Sequence, residues 1–110
     1  MTAENQLENS KAQMRKGILE FCIMLIIGRE RVYASEILAE LHKSDLIVVE
    51  GTLYPLLSRL KSQGYLDHSW EESKSGPPRK YYTLTDKGKD FLKELKTTWA
   101  DLSQSIKQLS

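Results

Sequence analysis

Apolar residues recur at intervals of three and four positions along most of this chain, which is the period of an amphipathic helix. The first series predicts a helix from about Lys11 to Ile27 that ends at Gly28. Its second half is apolar on nearly every side, as in the central helix of a core or a helix packed against a second subunit. The first dozen residues are polar and are expected to be frayed or only partly helical.

Two shorter series of the same period follow. One predicts a second helix that starts near residues 33–35, and the other predicts a third helix. The third helix should begin between Glu50 and Leu53, because Pro55 is tolerated only in the first turn of a helix. The apolar segment 46–49 between the two helices is compatible with a short strand or with an irregular plug of the core.

The period changes to two after the third helix. Leu66, His68 and Trp70 alternate with polar residues, which is typical of a strand with one buried face. A turn is predicted from Ser73 to Pro78, and strand-favouring residues follow at 80–84. This pattern predicts a two-stranded antiparallel hairpin.

A last helix is predicted to start at Thr85 and Asp86. Its apolar residues alternate in spacing between three and four, which is typical of a coiled-coil seam. In a monomer this stripe would be an unusually large exposed patch, so we expect a homodimer; packing onto the chain's own helices is the alternative. The predicted dimer interface consists of Leu92, Leu95, Trp99, Leu102, Ile106 and Leu109.

Three helices, a hairpin and a long helix, in this order, form the pattern of a winged helix-turn-helix followed by a C-terminal dimerisation helix. The expected fold is mostly α with a small β hairpin. We expect residues 1–84 to form a winged-helix DNA-binding domain with its N-terminal helix, and residues 85–110 to form the dimerisation helix, in one compact unit. A length of 110 residues agrees with a single domain.

The third helix has a polar face opposite its leucines, and its small, hydroxyl and guanidinium side chains are groups that contact bases and phosphates. The hairpin adds cations, because segment 73–84 has a net charge of +3 whereas segment 29–50 has a net charge of −2. A solvated helix face and a solubilising turn are the alternatives. The predicted DNA-binding residues are Thr52, Tyr54, Pro55, Ser58, Arg59, Lys61, Lys74, Arg79 and Lys80.

Trp99 is bulky for a seam between two helices and has no polar partner nearby in the sequence. We expect it to border a cavity at the dimer seam together with Ile18 and Cys22 of the first helix, where a small aromatic ligand would stack. The alternative is a packed aromatic interface without a cavity.

Composition and motifs exclude most catalytic chemistry. The chain has no Gly-rich phosphate loop and no nucleophile with a base at recognisable spacing, and its one cysteine and two histidines are scattered. We therefore predict no catalytic residue, no metal site and no cofactor. The longest apolar run, at 21–27, is far shorter than the ~20 residues that cross a bilayer, so no membrane partner is expected. A single cysteine fits a reducing cytoplasm.

Three segments resemble the PadR family of bacterial transcriptional regulators, namely Arg31–Leu38, Glu50–Leu60 and Gly76–Thr85. The Gly-Thr-Leu-Tyr-Pro stretch and the Arg-Lys-Tyr-Tyr-x-Leu-Thr stretch, in this order and separation, are specific. The resemblance extends from about Ala12 to Leu109, and Ala34 stands where many relatives have glycine.

The resemblance implies a homodimeric winged-helix protein that binds a double-stranded DNA operator, usually as a repressor, with a recognition helix over Thr52–Lys61. The chain is similar to the small subgroup that lacks the larger C-terminal region. Some members of that subgroup bind phenolic or planar hydrophobic compounds at the dimer centre, with a tryptophan where Trp99 stands. We expect a cytoplasmic, dimeric, sequence-specific repressor whose repression is relieved by a small aromatic ligand. We expect no enzymatic activity. The net charge of +1 favours one alternative, a winged-helix adaptor that binds protein without DNA.

Overall fold

The computed structural model describes residues 2–110 as four helices and a three-stranded antiparallel sheet. The predicted fold class is confirmed, with one strand more than the sequence pattern showed. The elements are α1 (Ala3–Arg29), β1 (Val32–Tyr33), α2 (Ala34–Lys43), α3 (Glu50–Ser62), β2 (Leu66–Ser73), β3 (Gly76–Leu84) and α4 (Asp86–Leu109). No helix among residues 2–110 is long and apolar enough to cross a membrane.

Helix α1 is longer at both ends than its apolar period predicted. It begins at Ala3, because the Thr2 side chain caps it by accepting the backbone N–H of Asn5 at 3.2 Å. The prediction that the first dozen residues are frayed or only partly helical is therefore wrong from Ala3 onward. The predicted stop at Gly28 is also wrong, since the helix continues to Arg29. Gly28 instead permits close packing, because a Cβ there would lie 3.0 Å from the Leu92 side chain.

The sheet has the order β1-β3-β2. Strand β1 consists of two residues that pair with Tyr81 and Tyr82, and two residues are too few to show an alternating pattern in the sequence. The hairpin turn is tighter than predicted, because β3 already begins at Gly76 and includes Pro77 and Pro78. The turn itself is reduced to Lys74 and Ser75.

The segment between α2 and α3 is an irregular plug and not a strand. Leu46 and Val48 are half-buried and pack against the core, whereas Ile47 and Val49 point outward and are exposed. Helix α3 then begins at Glu50, at the early limit of the predicted window. Pro55 therefore lies inside the helix, in its second turn, and not in the first turn where proline was expected.

The core lies between α1, α2, α3 and the inner face of the sheet. Leucine and isoleucine at three- and four-residue spacing point inward from each helix, as their periods predicted. Helix α4 docks on this core through its first two turns, where the Thr85 hydroxyl accepts the Gly88 N–H at 2.9 Å and the Tyr65 and Phe91 rings stack at 4.1 Å. The fully buried side chains are Ile23, Met24, Ile37, Leu41, Leu53, Leu57, Leu60 and Leu66.

Candidate nucleic-acid interface

Helix α3 presents its polar face to solvent. Leu53, Leu57 and Leu60 are almost completely buried, which fixes the rotation of the helix about its axis. The structure therefore places five of the six residues predicted on this helix at the surface. These exposed residues are Thr52, Tyr54, Pro55, Ser58 and Arg59.

Arg59 has a partner that the sequence did not reveal. Its guanidinium forms an ion pair with Glu20 of α1, which neutralises its charge at the edge of the exposed face. The Arg59 side chain remains 56% exposed, so the pair lies at the surface, where such pairs contribute little to stability and exchange readily. Arg59 can therefore reach a phosphate only after it leaves Glu20.

Lys61 is not free on the exposed face. It is half-buried, and its Nζ lies 3.4 Å from Nε2 of His68 on β2, so the ammonium donates to the imidazole. Partial burial lowers the pKa of His68, and the positive charges of Lys61 and Lys80 lower it further. In a neutral His68 whose ring proton is on Nδ1, Nε2 accepts the hydrogen bond from Lys61, which ties the end of α3 to the wing. The predicted DNA contact of Lys61 is therefore the least accessible one on the helix.

The cations of the wing, by contrast, remain unneutralised. Among the described residues, none of Lys74, Arg79 and Lys80 forms an ion pair with a carboxylate. Aromatic rings position two of them instead: the Arg79 guanidinium lies 4.6 Å from the Tyr33 ring centre, and the Lys80 ammonium lies 5.5 Å from that of Tyr82. Their charge is thus available to phosphates.

The wing, the segment Tyr33–Ser35 at the start of α2 and one residue of α3 together border an open cavity of about 370 Å³. Tyr54 lines it from α3, Tyr82, Arg79 and Lys80 line it from β3, and Trp70 lines it from β2. Trp70 is not among the predicted DNA-binding residues, because its alternation with Leu66 predicts a position on the buried face of the sheet. In the structure the Trp70 ring is 64% exposed.

The predicted dimer interface divides into two parts. Leu92 belongs to the core of its own chain at 7% exposure, which leaves little of its side chain for a partner, and Leu95 is half-buried against the same core. The remaining residues lie on the part of α4 that projects beyond the core. They form an uncovered stripe, here called the terminal apolar surface, that consists of Trp99 (45% exposed), Leu102 (53%), Ile106 (59%) and Leu109 (87%).

The three predicted ligand residues do not line one cavity within a single chain. Ile18 and Cys22 are half-buried, and the ring beside Trp99 is Phe21, with the ring centres 6.4 Å apart. Cys22 instead lines a small cavity of about 110 Å³ on the α2 side, and Trp99 is not among its lining residues. Burial raises the pKa of the Cys22 thiol, which leaves it protonated and unreactive. Within residues 2–110, no group of His, Cys, Asp or Glu side chains is arranged to hold a metal ion.

Comparisons with known proteins agree with this geometry. The sequence profile of the family described as "Transcriptional regulator PadR-like family" matches residues 23–94. The chain is similar to a PadR-like transcription factor of Bacteroides fragilis, with 54% identity, a TM-score of 0.78, and coverage of 93% of this chain and 99% of the other. A PadR-like regulator of Bacillus cereus is 42% identical at a TM-score of 0.80, covering 88% and 95%. A PadR family regulator of Eggerthella lenta is 31% identical at 0.85, covering 99% and 92%.

Proposed function

The chain belongs to the PadR-like family of transcriptional regulators, and from this we propose that it is a dimeric repressor that binds a two-fold-related DNA operator in a sequence-specific manner. The family regulates transcription and is not a family of enzymes, so the candidate site is an interface and not a catalytic centre. One observation carries the proposal: Tyr54 of the polar face of α3 and the unneutralised cations Arg79 and Lys80 of the wing border the same open cavity.

Each part of that surface has a role in the proposed complex. Helix α3 lies in the major groove, where Tyr54, Pro55 and Ser58 contact base edges or the adjacent backbone. The wing contacts the neighbouring phosphates through Lys74, Arg79 and Lys80, as its charge requires. Thr52, Arg59 and Lys61 take lesser roles, since Arg59 and Lys61 are engaged within the chain.

The proposed dimer forms through the terminal apolar surface. Four large apolar side chains in one stripe, all at least 45% exposed, need a partner, and a second copy offers the same stripe about a two-fold axis. Leu7 and Met14 of α1 are also exposed, which extends the apolar area available to the partner. A dimer aligns two recognition helices with two half-sites, and it blocks transcription by occupying the operator.

Binding of duplex DNA is tested by a salt titration. Phosphate contacts release counterions, so the logarithm of the binding constant should fall linearly with the logarithm of the salt concentration. We expect this behaviour for a duplex that the protein selects from a random library. The net charge of +1 favours the alternative of a protein-binding adaptor, which would show no duplex affinity at any salt concentration. Since the proposed target is the chromosome of a bacterial cell, we place the protein in the cytoplasm.

Removing the charge of the wing should weaken binding to every duplex by a similar factor. In the variant Arg79→Ala with Lys80→Ala, we expect the salt slope to fall by up to ~2 per protomer, because each phosphate contact contributes about 0.9. Preference among sequences should not change, since phosphates carry no sequence information. Fluorescence anisotropy with two unrelated duplexes measures both quantities.

The matched control removes the same charge from α4. Lys89 and Lys93 are exposed there and form no ion pair among the described residues, so Lys89→Ala with Lys93→Ala should leave the salt slope unchanged. An unchanged salt slope in the wing variant would mean that the wing does not contact DNA phosphates. Equally reduced salt slopes in both variants would mean that DNA binding responds only to the net charge of the protein.

We further propose that a small aromatic ligand relieves repression by binding at the dimer seam beside Trp99. Support comes from the 45% exposure of Trp99 and from its neighbour Phe21, which together offer two rings to a flat molecule once a second copy closes the site. Ile18 and Cys22 lie one turn apart on α1, on the same side of the helix.

A ligand at this seam should quench Trp99 and change operator affinity together. In a Trp70→Phe background, a panel of planar aromatic compounds is titrated while Trp99 emission and duplex binding are recorded. Typical coupling predicts a change in operator affinity of roughly 5- to 150-fold. Trp99→Ala should abolish both responses. If no compound in the panel produces either response, the seam is packed and carries no ligand.

A further inference from the structure

We propose that Trp70 is a DNA-contacting residue and that the cavity between α3 and the wing is a cleft for one strand of the DNA backbone. In this arrangement the indole ring packs against a deoxyribose, and Lys80 and Arg79 hold the adjacent phosphates. The inference deepens the proposed function and rests on it. It assigns a residue that neither the sequence pattern nor the charge of the wing selected.

The first observation is the course of the inner face of the sheet. Leu66, His68 and Trp70 share one face of β2, because side chains in a strand alternate. Leu66 is 2% exposed, His68 is half-buried, and Trp70 is 64% exposed. The face of β2 that packs on the core at Leu66 therefore no longer packs on the core at Trp70. The wing carries a large apolar ring out of the body of the protein, on the side where α3 lies.

The second observation is what surrounds the ring. Lys80 is the cross-strand partner of Trp70, and its ammonium lies 5.9 Å from the Trp70 ring centre and 5.5 Å from that of Tyr82. Tyr54 of α3 lines the same cavity and is 47% exposed. The cleft thus has aromatic side chains from the wing and from α3, and the Lys80 ammonium lies against the two rings of the wing.

This set of groups matches the chemistry of a DNA backbone. A deoxyribose offers apolar C–H groups to aromatic rings, and the phosphates beside it are anions that Lys80 and Arg79 can pair with. The cleft is also open, and Tyr54 of the exposed face of α3 lines it. A strand that leaves the groove occupied by α3 and runs toward the wing passes through it. Trp70 then contributes shape and apolar contact, while the cations contribute charge.

The test uses the full chain with Trp99→Phe, in which Trp70 is the only tryptophan. The protein is titrated with a duplex that the wild type selects from a random library, and quenching of Trp70 by acrylamide, a neutral molecule, is measured with and without DNA. We expect bound duplex to shield Trp70 from acrylamide. The same titration in a Trp70→Phe variant, which retains Trp99, should show little change in shielding.

Substitutions at Trp70 separate ring packing from charge. Trp70→Ala should weaken duplex binding on the order of tenfold, the scale for loss of one aromatic contact with nucleic acid. Its salt slope should equal that of the wild type, because an indole carries no charge, unlike the pair Arg79 and Lys80. Trp70→Phe should retain most of the affinity. Since the ring is exposed, thermal unfolding should be nearly unchanged in both variants.

The outcomes distinguish this inference from the function it rests on. If anisotropy reports duplex binding while Trp70 stays open to acrylamide and Trp70→Ala binds like the wild type, the cleft does not hold DNA, yet the protein remains a DNA binder. If no duplex binds, the proposed function fails as well. If benzoate shields Trp70 and duplex does not displace it, the cleft belongs to a small aromatic anion and the inference is overturned.

Discussion

Replacement of Gly88 by alanine is expected to destabilise the protein by about 3 kcal/mol, although the same change inside a helix normally stabilises. Gly88 lies in the first turn of α4, where a Cβ would overlap the backbone carbonyl group of Tyr65. A backbone carbonyl cannot turn aside as a flexible side chain can, so α4 would have to move. That movement would disturb the stacked rings of Tyr65 and Phe91 and the Thr85 cap.

Thermal unfolding followed by circular dichroism measures this effect at one fixed protein concentration, because dimerisation adds to apparent stability. A loss of about 3 kcal/mol should lower the midpoint by more than about 10 °C in a domain of this size. Gly17→Ala is the matched control: Gly17 is also helical, but nothing lies within 4 Å of a Cβ built there. It should raise stability by about 0.5 to 1 kcal/mol. A Gly88→Ala protein as stable as Gly17→Ala would contradict the close docking of α4 on Tyr65.

Leu102→Asp should convert the proposed dimer into monomers. Leu102 is 53% exposed in the single chain and lies in the middle of the terminal apolar surface, so a second copy would bury it. Burial of an unpaired carboxylate costs at least about 2 kcal/mol, and a two-fold axis places two of them in one interface. The dimer dissociation constant should therefore rise about 10³-fold or more. Sedimentation velocity over a range of protein concentrations measures the change.

Gln104→Asp provides the control for this substitution. It introduces the same charge on the opposite side of α4, away from Trp99 and Ile106, and should leave the dimer intact. Binding to a two-fold operator should fall on the order of 100-fold or more in Leu102→Asp, because one protein then reaches only one half-site. Secondary structure should be retained, since Leu102 does not pack on the core. An intact Leu102→Asp dimer would mean that subunits associate elsewhere.

Local patterns predicted most of the fold. The three- and four-residue period identified α2, α3 and α4, and the start of α4 at Thr85 and Asp86 followed from capping alone. The start of α3 at Glu50 falls within the predicted window, although Pro55 lies one turn deeper in the helix than expected. These features depend on residues within one turn of each other, which is the range that a sequence pattern can report. The same holds for the cations of the wing, which are neighbours in the chain.

Features that join distant parts of the chain could not be predicted in this way. Strand β1 exists because Val32 and Tyr33 meet β3, and the close approach at Gly28 comes from Leu92, which is distant in the chain. The sequence pattern predicts Arg59 as a free cation, whereas in the structure α1 places Glu20 beside it in an ion pair. A sequence period shows that a residue is on an apolar or polar face, but it does not show what lies opposite that face.

The order and type of the elements, the family and the outward side of α3 all follow from the amino-acid sequence, because they depend on local spacing and on specific motifs. Where each apolar stripe leaves the core depends on the folded chain. It assigned Leu92 to the core and left Leu102 uncovered on the same stripe of α4, and it buried Leu66 while exposing Trp70 on the same face of β2. The physical reason is that helices and strands keep their periods beyond the edge of the domain, whereas burial ends where the packed neighbours end.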